Sequence, residues 1–188
     1  MEDLSALYDE MKECKSCRLR ESCSQVVVGT GSMTPRLMII GEAPGADEDR
    51  EGEPFVGKAG MVLRDVLRRH HKTINRKTTL ITNVLGCRPP RNKFPTDECP
   101  SICVSLWLDR AIEITRPERI LLLGNSPLRH VAGLTGITSM RGNWVTCKGV
   151  RTLPTYHPSY VMRSDCQGWI QPREEFEGDI AEVAEEIG

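Results

Sequence analysis

The chain contains 188 residues, of which 39% are hydrophobic and 5% aromatic, and it carries a formal net charge of −1. No apolar run approaches the roughly 20 residues of a membrane span, and the polar, acidic start MEDLSALYDEMKEC argues against a secretory signal. This length suits one domain with its own core, so we predict a single domain over residues 1–188, in the cytoplasm and without a membrane partner.

The charge is distributed unevenly along the chain. Residues 171–188 contain seven acidic residues against one arginine, which leaves 24 basic and 19 acidic residues, a net charge of +5, over residues 1–170. A charge of this size is compatible with modest phosphate binding and equally with an ordinary solvated surface. The acidic segment 171–188 is predicted to form a closing helix or tail.

Short apolar runs alternate with segments of helical periodicity. The apolar runs predict buried strands at 36–40, 78–85 and 119–124, and the periodic segments predict helices at 58–71, 99–115 and 126–134. Residues 149–163 begin as a strand that is predicted to break at Pro154 and Pro158. The alternation predicts an α/β fold: a single-domain three-layer sandwich with a central, mostly parallel sheet and helices on both faces.

Three unusual loops follow predicted strands. The segment GEAPGADEDREGEPFVGKAG (41–60) holds five glycines and six carboxylates, and the others are NVLGCRPP (83–90) and YHPSY (156–160). Ligands of open parallel sheets bind beyond the carboxyl ends of the strands. The three loops are therefore predicted to form one pocket.

The eight cysteines point to metal ligation or buried thiols, because a reducing cytosol disfavours disulfides. Cys14 and Cys17 form a C-x2-C pair, and Cys87 and Cys103 add two distant ligands, with Cys99 as the alternative to Cys103. Residue types alone leave zinc and iron–sulfur both open. The cysteines without comparable partners are interpreted as buried thiols: Cys23, Cys99, Cys147 and Cys166.

Taken together, these segments resemble the family 4 uracil-DNA glycosylases, the iron–sulfur branch of their superfamily. The resemblance covers roughly residues 5–165. Its motifs are the glycine loop 41–60, TNVLGCRPPRNKFPTDE with Cys103 behind it, LLLGNSPLRHVAG, MRGNW and YHPSYVMR. The resemblance implies removal of a flipped-out uracil from single- or double-stranded DNA, leaving an abasic site for base excision repair. The sequence does not indicate an oligomeric state, and we take a monomer as the default expectation.

The resemblance also implies the cofactor and the uracil pocket. The cluster ligands of the family fall on four cysteines, which would hold a [4Fe–4S] cluster: Cys14, Cys17, Cys87 and Cys103. The ring that holds uracil falls on Phe55, the uracil-reading asparagine on Asn83 and the catalytic histidine on His157. The backbone that lines the pocket falls on Gly41, Glu42 and Ala43.

These residue types suit the chemistry. The amide of Asn83 offers a donor to uracil O4 and an acceptor to N3–H, whereas cytosine presents the reversed pattern. Phe55 offers a stacking face, and a hydrogen bond from His157 would stabilise negative charge on uracil O2. The alternative roles are a turn cap for Asn83, a core ring for Phe55 and a structural histidine for His157.

Carboxylates are needed to orient the attacking water. The family 1 enzymes place an aspartate where this chain has Ala43, so Glu42 and Glu48 remain as candidates. The other acidic residues of the loop are predicted to be solvated charges: Asp47, Asp49, Glu51 and Glu53. No lysine stands in a recognisable Schiff-base position, which indicates a monofunctional enzyme.

DNA contacts are predicted on both sides of the pocket. Val161 or Met162 is the candidate for an apolar wedge in the DNA, and Arg163 for a phosphate contact. The other predicted DNA-binding residues are Lys58, Arg88, Arg91 and Ser159. Gly86 stands where the family commonly has lysine. The segment RPPRNKF has no histidine, so we predict no covalent cross-linking to DNA.

Two other classes of function remain open from the sequence. One is a catalytically weak DNA-binding or interaction module that keeps the fold and a four-cysteine metal site. The other is a zinc-stabilised structural protein without an effect on DNA. Dependence of uracil release on the side chains of Asn83, His157 and Phe55 distinguishes the enzyme from both.

Overall fold

The computed structural model describes residues 3–188, so the first two residues of the predicted domain lie outside the described residues. Its centre is a six-stranded sheet in the order β1-β3-β2-β4-β6-β5. The strands are β1 (Thr30–Gly31), β2 (Leu37–Gly41), β3 (Thr79–Asn83), β4 (Arg119–Leu123), β5 (Val145–Cys147) and β6 (Val150–Thr155). The inner four strands pair in parallel and the two edge strands pair antiparallel, so the prediction of a mostly parallel sheet is confirmed.

Helices cover both faces of this sheet. They are α1 (Leu4–Lys12), α2 (Ala46–Glu51), α3 (Lys58–Arg69), α4 (Cys99–Cys103), α5 (Asp109–Thr115), α6 (Asn125–Ala132), α7 (Ile137–Met140), α8 (Pro158–Cys166) and α9 (Gln171–Glu186). A π-helical segment, Val104–Leu108, joins α4 to α5, so the predicted helix 99–115 is continuous but locally widened. Within the described residues, no helix has the length and apolarity to cross a membrane.

The side chains of β2 alternate between two cores, as the period of a strand requires. Met38 and Ile40 pack with α1, the π-helical segment and α5, whereas Leu37 and Ile39 pack with α3, α8 and α9. All five residues of β2 are buried because helices cover both faces. The predicted three-layer architecture is confirmed.

The predicted strand break at Pro154 is wrong. Pro154 lies inside β6, where it pairs with Leu122 of β4. Strand β5 begins at Val145, whose partner is Thr152, so the ladder on that side does not extend to the proline. A missing N–H is tolerated where no ladder partner needs it. The chain leaves the strand two residues later and begins α8 at Pro158, a first-turn position that suits proline.

The acidic segment forms α9, and its charges are paired with arginines of the body. Glu177 accepts from Arg69 at 2.7 Å, and Glu186 forms ion pairs with Arg119 at 2.9 Å and Arg151 at 3.0 Å. The other face of the helix buries apolar side chains: Phe176, Ile180, Val183 and Ile187. The helix is therefore part of the folded body, and its charge is largely neutralised there.

Candidate active site

A cavity of about 700 Å³ opens at the edge of the sheet where the parallel strands end. Asn83 is the last residue of β3, and Gly124 and His157 follow β4 and β6 closely. A volume of this size lies within the range of about 300–1,000 Å³ that small-molecule sites occupy. The loops that the sequence predicted to converge therefore do so, because parallel strands share one carboxyl edge.

Five of the six predicted uracil contacts line this cavity, and the sixth lies beneath it. The five are Glu42, Ala43, Phe55, Asn83 and His157. A Cβ atom on Gly41 would lie 2.4 Å from the Phe55 ring and 2.5 Å from Asn83 Oδ1. Glycine is needed here because these two side chains occupy the space that any other residue would fill.

The side chain of Asn83 is buried, with 7% of its surface exposed. Its carboxamide makes no hydrogen bond with any other described residue, although its backbone belongs to β3. The amide atoms of Asn83 are not completely enclosed by protein, so they face the cavity that Asn83 lines. The amide therefore presents both a donor and an acceptor to whatever enters the cavity.

Phe55 is held in an uncommon backbone conformation. Its φ is 56°, in the left-handed region that few residues other than glycine adopt, at a cost of about 1–3 kcal/mol. The guanidinium of Arg64 donates a hydrogen bond to its carbonyl oxygen, and helix α3 packs against its backbone at Gly60. The ring centroid lies 6.1 Å from that of His157. The fold thus fixes an aromatic face inside the cavity.

His157 caps helix α8, and this fixes its tautomer. Its Nδ1 accepts a hydrogen bond from the backbone N–H of Ser159 at 3.2 Å and lies 2.8 Å from the Ser159 hydroxyl. A ring nitrogen that accepts from an N–H carries no proton, so the proton of the neutral imidazole is on Nε2. Burial, and then the charge of Arg163, lower the pKa of His157 to about 4. The side chain is a neutral Nε2–H donor at physiological pH.

We expect the proton of His157 to be taken up near pH 4, well below the ordinary value. Between pH 6.5 and 4 the unfolded chain binds a proton at His157 that the native protein does not. The free energy of unfolding should therefore decrease as the pH is lowered from 6.5 to 4, by at most about 1.4 kcal/mol per pH unit from this group. NMR titration of the imidazole nitrogens measures the midpoint, and His157→Gln assigns the signal and removes this part of the pH dependence. A midpoint near 6.5 would contradict the buried, neutral state.

Glu42 and Glu48, the two predicted water-positioning carboxylates, are placed differently. Glu48 accepts from the backbone N–H groups of Gly45 at 3.0 Å and Gly57 at 2.8 Å, so both of its oxygens hold the loop. Glu42 accepts from the Ser126 hydroxyl at 2.6 Å through Oε2, while Oε1 has no hydrogen-bond partner among residues 3–188. Of the pair, Glu42 has the oxygen available for a water.

The prediction that Asp49 is a solvated charge is wrong. Asp49 is buried and accepts from the backbone N–H and the hydroxyl of Ser24, at 2.8 and 2.9 Å. Asp47 and Glu51 remain partly exposed and pair with Arg50. The acids of the glycine loop thus serve largely to satisfy backbone donors that a glycine-rich segment leaves open.

The predicted DNA-binding residues surround the mouth of the cavity to different degrees. Arg163 and Ser159 line it, and Pro89 and Asn92, which lie beside Arg88 and Arg91 in sequence, line it too. Lys58 is exposed at the start of α3, next to the lining residue Ala59, and Met162 is half-buried.

Val161 is wholly buried in the core, so its alternative role as a wedge is wrong. Ser159 is engaged with the His157 ring.

Sequence reasoning missed three residues that line the cavity, Asn125, Tyr156 and Tyr160, and also Ser126, which donates a hydrogen bond to the lining residue Glu42. Asn125 and Ser126 follow β4 after Gly124 alone, so the rule that ligands bind beyond strand ends applies to them as well. The two tyrosines lie within the YHPSY motif, and their ring centroids are 4.9 Å apart. Their role in shaping the wall depends on the turn at His157, which residue types alone did not show.

A buried polar network supports the strand that leads to His157. Asp179 of α9, only 2% exposed, accepts from Thr155 Oγ1 at 2.5 Å and from Arg141 Nε at 3.0 Å. The Arg141 guanidinium lies 5.9 Å from the ring centroid of Tyr156. The acidic helix therefore has one buried carboxylate that ties it to the end of β6, two residues before His157.

The four predicted ligand cysteines converge on a second place in the fold. Cys14, Cys17, Cys87 and Cys103 all line one small cavity beside α1 and α4. As the side chains stand, no three His, Cys, Asp or Glu residues of the described chain form a metal-binding group. Gly86 is buried there, and a Cβ at this position would lie 2.4 Å from Met11 Cε, so a lysine would need Met11 to move.

Two of these thiols, Cys103 and Cys87, have raised pKa values. Burial raises the pKa of Cys103 to about 12, with smaller contributions from Cys17 and Cys14. Burial also raises the pKa of Cys87 far above its ordinary value, and its neighbours include Cys23, Cys103 and Cys17. A metal ion offsets this penalty because it deprotonates the thiols that it binds. The four cysteines around one cavity therefore fit a four-thiolate cluster, with Cys23 as an additional thiol near Cys87.

Comparison with known proteins relates the chain to one superfamily. A family model described as the uracil DNA glycosylase superfamily matches residues 28–180. A type-4 uracil-DNA glycosylase of Thermotoga maritima is 40% identical over 169 residues, covering 87% of this chain and 85% of the relative. One from Archaeoglobus fulgidus is 35% identical over 197 residues, covering 100% and 95%, and one from Sulfurisphaera tokodaii is 36% identical over 171 residues, covering 86% and 77%.

Proposed function

Because the chain belongs to the type-4 branch of the uracil-DNA glycosylase superfamily, we propose that its cavity removes uracil from DNA in base excision repair. The enzyme hydrolyses the N-glycosidic bond of a flipped-out uracil and leaves an abasic site. The observation that carries this proposal is the buried, unpartnered amide of Asn83 in one cavity with Phe55 and His157. These three groups together offer pairing, stacking and a neutral hydrogen-bond donor.

Recognition of uracil follows from the amide of Asn83. Its N–H₂ donates to uracil O4 and its Oδ1 accepts from N3–H, so the base pairs with both polar groups of an amide that has no partner among the described residues. Cytosine presents a donor and an acceptor in reversed positions, so both pairings would fail. The ring of Phe55 stacks on the base, a contact worth about 1–3 kcal/mol in other base–aromatic pairs.

Cleavage is assisted by the neutral imidazole of His157. As the bond between the sugar and N1 breaks, the bonding electrons move to the base and negative charge gathers on O2. The Nε2–H of His157, fixed by the Ser159 contacts, donates to that oxygen without any change of charge on the histidine. The positive charge of Arg163 at the cavity wall adds to this stabilisation.

Glu42 is assigned to the attacking water. Its free Oε1 orients the water toward the sugar carbon, while its negative charge stabilises the developing cation. Glu48 keeps the role of a loop clamp that positions Gly45 and Gly57. Water donates a hydroxyl to the sugar, and the proton that it releases neutralises the uracil anion in solution, so no covalent enzyme intermediate forms.

The DNA contacts are assigned to the cavity mouth. Arg163 and the exposed Lys58 flank it on α8 and α3, Arg88 and Arg91 lie on the neighbouring loop, and Met162 is the remaining candidate wedge. Ser159 contributes through the histidine that it orients. We assign the enzyme to the cytoplasm as a monomer that accepts uracil in single- and double-stranded DNA.

We also assign a [4Fe–4S] cluster to Cys14, Cys17, Cys87 and Cys103. Support comes from the shared cavity of these four half-buried thiols and from the type-4 relatives. When bound, the cluster ties the N-terminal segment, the loop after β3 and helix α4 together. Loop closure by a cross-link of this kind stabilises mainly by restricting the unfolded chain.

The proposed activity predicts that Asn83→Ala loses about 10- to 100-fold in kcat/KM for uracil, because the base keeps its stacking contact but loses two hydrogen bonds of about 1 kcal/mol each. The measurement is alkaline cleavage of oligonucleotides that carry one uracil. Asn125→Ala, at an exposed position of the same cavity, is the matched control and should stay within a few-fold of the wild type.

Two results would count against the glycosylase. One is a wild-type preparation with its cluster bound that leaves uracil intact, and this would favour a binding module that retains the fold. The other is full activity of Asn83→Ala, and this would show that uracil is read elsewhere.

The proposed cluster predicts that Cys87→Ser loses iron and visible absorbance, whereas Cys166→Ser keeps both. Cys166 is an exposed thiol at the end of α8, so its interpretation as a buried thiol is wrong and it serves as the matched control. Iron and sulfide analysis with visible absorption spectra measures the difference. A colourless wild-type protein that contains zinc instead would overturn the iron–sulfur assignment, and undiminished iron in Cys87→Ser would remove Cys87 from the ligand set.

A further inference from the structure

A second cavity, of about 340 Å³, lies between α3, the edge strand β1 and the first part of β3. Its floor is apolar and includes the buried side chains of Leu67, Ile74 and Pro54. Thr79, at the start of β3, lines this cavity, whereas Asn83, at the end of the same strand, lines the active one. Thr79 and Asn83 are four positions apart along β3, which corresponds to a distance of about 13 Å.

The rim of this second cavity is basic: Arg64, Arg68, His71 and Arg76 line it, against one acidic residue, Glu53. Arg76 approaches Glu53 only to 4.0 Å, with 88% of its own side chain exposed. Arg68 pairs with Asp65 at 3.5 Å, again in solvent. Exposed ion pairs of this kind are worth about 0–1 kcal/mol, so a phosphate can displace them readily.

The active site does not account for these charges. Residues 66–82 contain five arginines and lysines and no acidic residue. Most of this basic segment follows the C-terminal end of α3. The N-terminal end of the same helix lies beside the active cavity, so the basic segment lies at the far end of the helix from that cavity. A cavity with an apolar floor and a cationic rim is complementary to a flat ring that carries a phosphate.

We propose that this cavity is a second nucleotide-binding site. The base of a nucleotide unit lies on Leu67 and Ile74, and its phosphate is held by Arg68, His71 and Arg76. A bare anion would leave the apolar floor open to water, and an uncharged base would leave the arginines without a partner. A nucleotide uses both features of the cavity, because its base covers the apolar floor and its phosphate pairs with the cationic rim.

The proposed site also adjoins the uracil pocket. Phe55 lines both cavities, and Arg64, which donates to the Phe55 carbonyl, lines the second one. A nucleotide there lies against the residue that holds the left-handed turn at Phe55. The occupant is either a free nucleotide or a nucleotide unit of a nucleic-acid strand, and these share one chemistry.

The test is titration of the full-length protein with deoxyguanosine 5′-monophosphate, followed by calorimetry. We expect Arg68→Gln/Arg76→Gln to weaken binding by about tenfold or more, because two charge-assisted contacts are lost. Arg36→Gln is the matched control, since Arg36 is an exposed, ion-paired arginine outside this cavity and should bind as the wild type does. Asn83→Ala should also bind normally, because Asn83 lines the uracil pocket and not this cavity.

Three results would overturn the proposal. They are absence of binding to the wild type, loss of binding in Asn83→Ala, and equal affinity for deoxyguanosine or for inorganic phosphate alone. Excision from a short uracil oligonucleotide should be unchanged in Arg68→Gln/Arg76→Gln, so failure here is distinguishable from failure of the glycosylase. Displacement of the mononucleotide by a uracil-free oligonucleotide of about ten nucleotides would identify a strand as the source, and no displacement would identify a free nucleotide.

Discussion

His157→Ala is expected to lower the rate of uracil excision by about 10²- to 10³-fold. A preorganised donor to a developing oxyanion is worth about 2.7–4 kcal/mol when it acts in a site shielded from water. The imidazole meets this description because its Nδ1 is fixed by Ser159 and its proton is therefore on Nε2. Single-turnover kinetics with enzyme in excess measures the chemical step separately from DNA release.

His157→Ala should lower the rate of bond cleavage and leave DNA binding unchanged. The affinity of His157→Ala for uracil-containing DNA should stay near that of the wild type, since Asn83 and Phe55 remain. Ser159→Ala is the matched control, because it removes the hydroxyl but leaves the backbone N–H that fixes the tautomer, so its rate should fall about tenfold at most. A His157→Ala rate within tenfold of the wild type would assign stabilisation of the uracil anion to another group, with Arg163 the next candidate.

The order of layers could be predicted from the sequence because its signals are local. The apolar runs of β2 and β4 are fully or nearly fully buried, as continuous hydrophobic strands must be when helices cover both faces. The break assigned to Pro154 failed for a non-local reason. Whether a proline ends a strand depends on which neighbour its missing N–H would have faced, and this is a property of sheet order.

The residues of the candidate site also divide into those that the sequence could predict and those that it could not. Asn83, Phe55 and His157 could be predicted because they lie in long ordered motifs next to strand ends. The distinction between Glu42 and Glu48 could not, because it depends on which backbone N–H groups each carboxylate meets after the loop folds. Asp49 was misjudged for the same reason, since its partner Ser24 is 25 residues away in sequence.

Gly60→Ala is expected to destabilise the protein by about 3 kcal/mol and to reduce uracil excision sharply. Helix propensity alone predicts the opposite sign, because alanine is favoured over glycine inside a helix by about 1 kcal/mol. A Cβ at this position, however, would lie 1.8 Å from the carbonyl oxygen of Phe55 and 2.2 Å from its carbonyl carbon. Overpacking of this kind typically costs about 1–3 kcal/mol, and here the obstacle is backbone that cannot rotate away.

The matched control is Gly178→Ala in α9. A Cβ on Gly178 would meet no atom within 4 Å, so this substitution should stabilise the protein by about 0.5–1 kcal/mol through helix propensity alone. Urea unfolding of the two variants therefore tests steric contact against propensity, with opposite signs expected. If Gly60→Ala also stabilises, the turn at Phe55 must be able to shift, and the left-handed φ of that residue would then not be what positions its ring against uracil. If it destabilises as expected, the reach of α3 onto Phe55 explains why the glycine loop must end at Gly60.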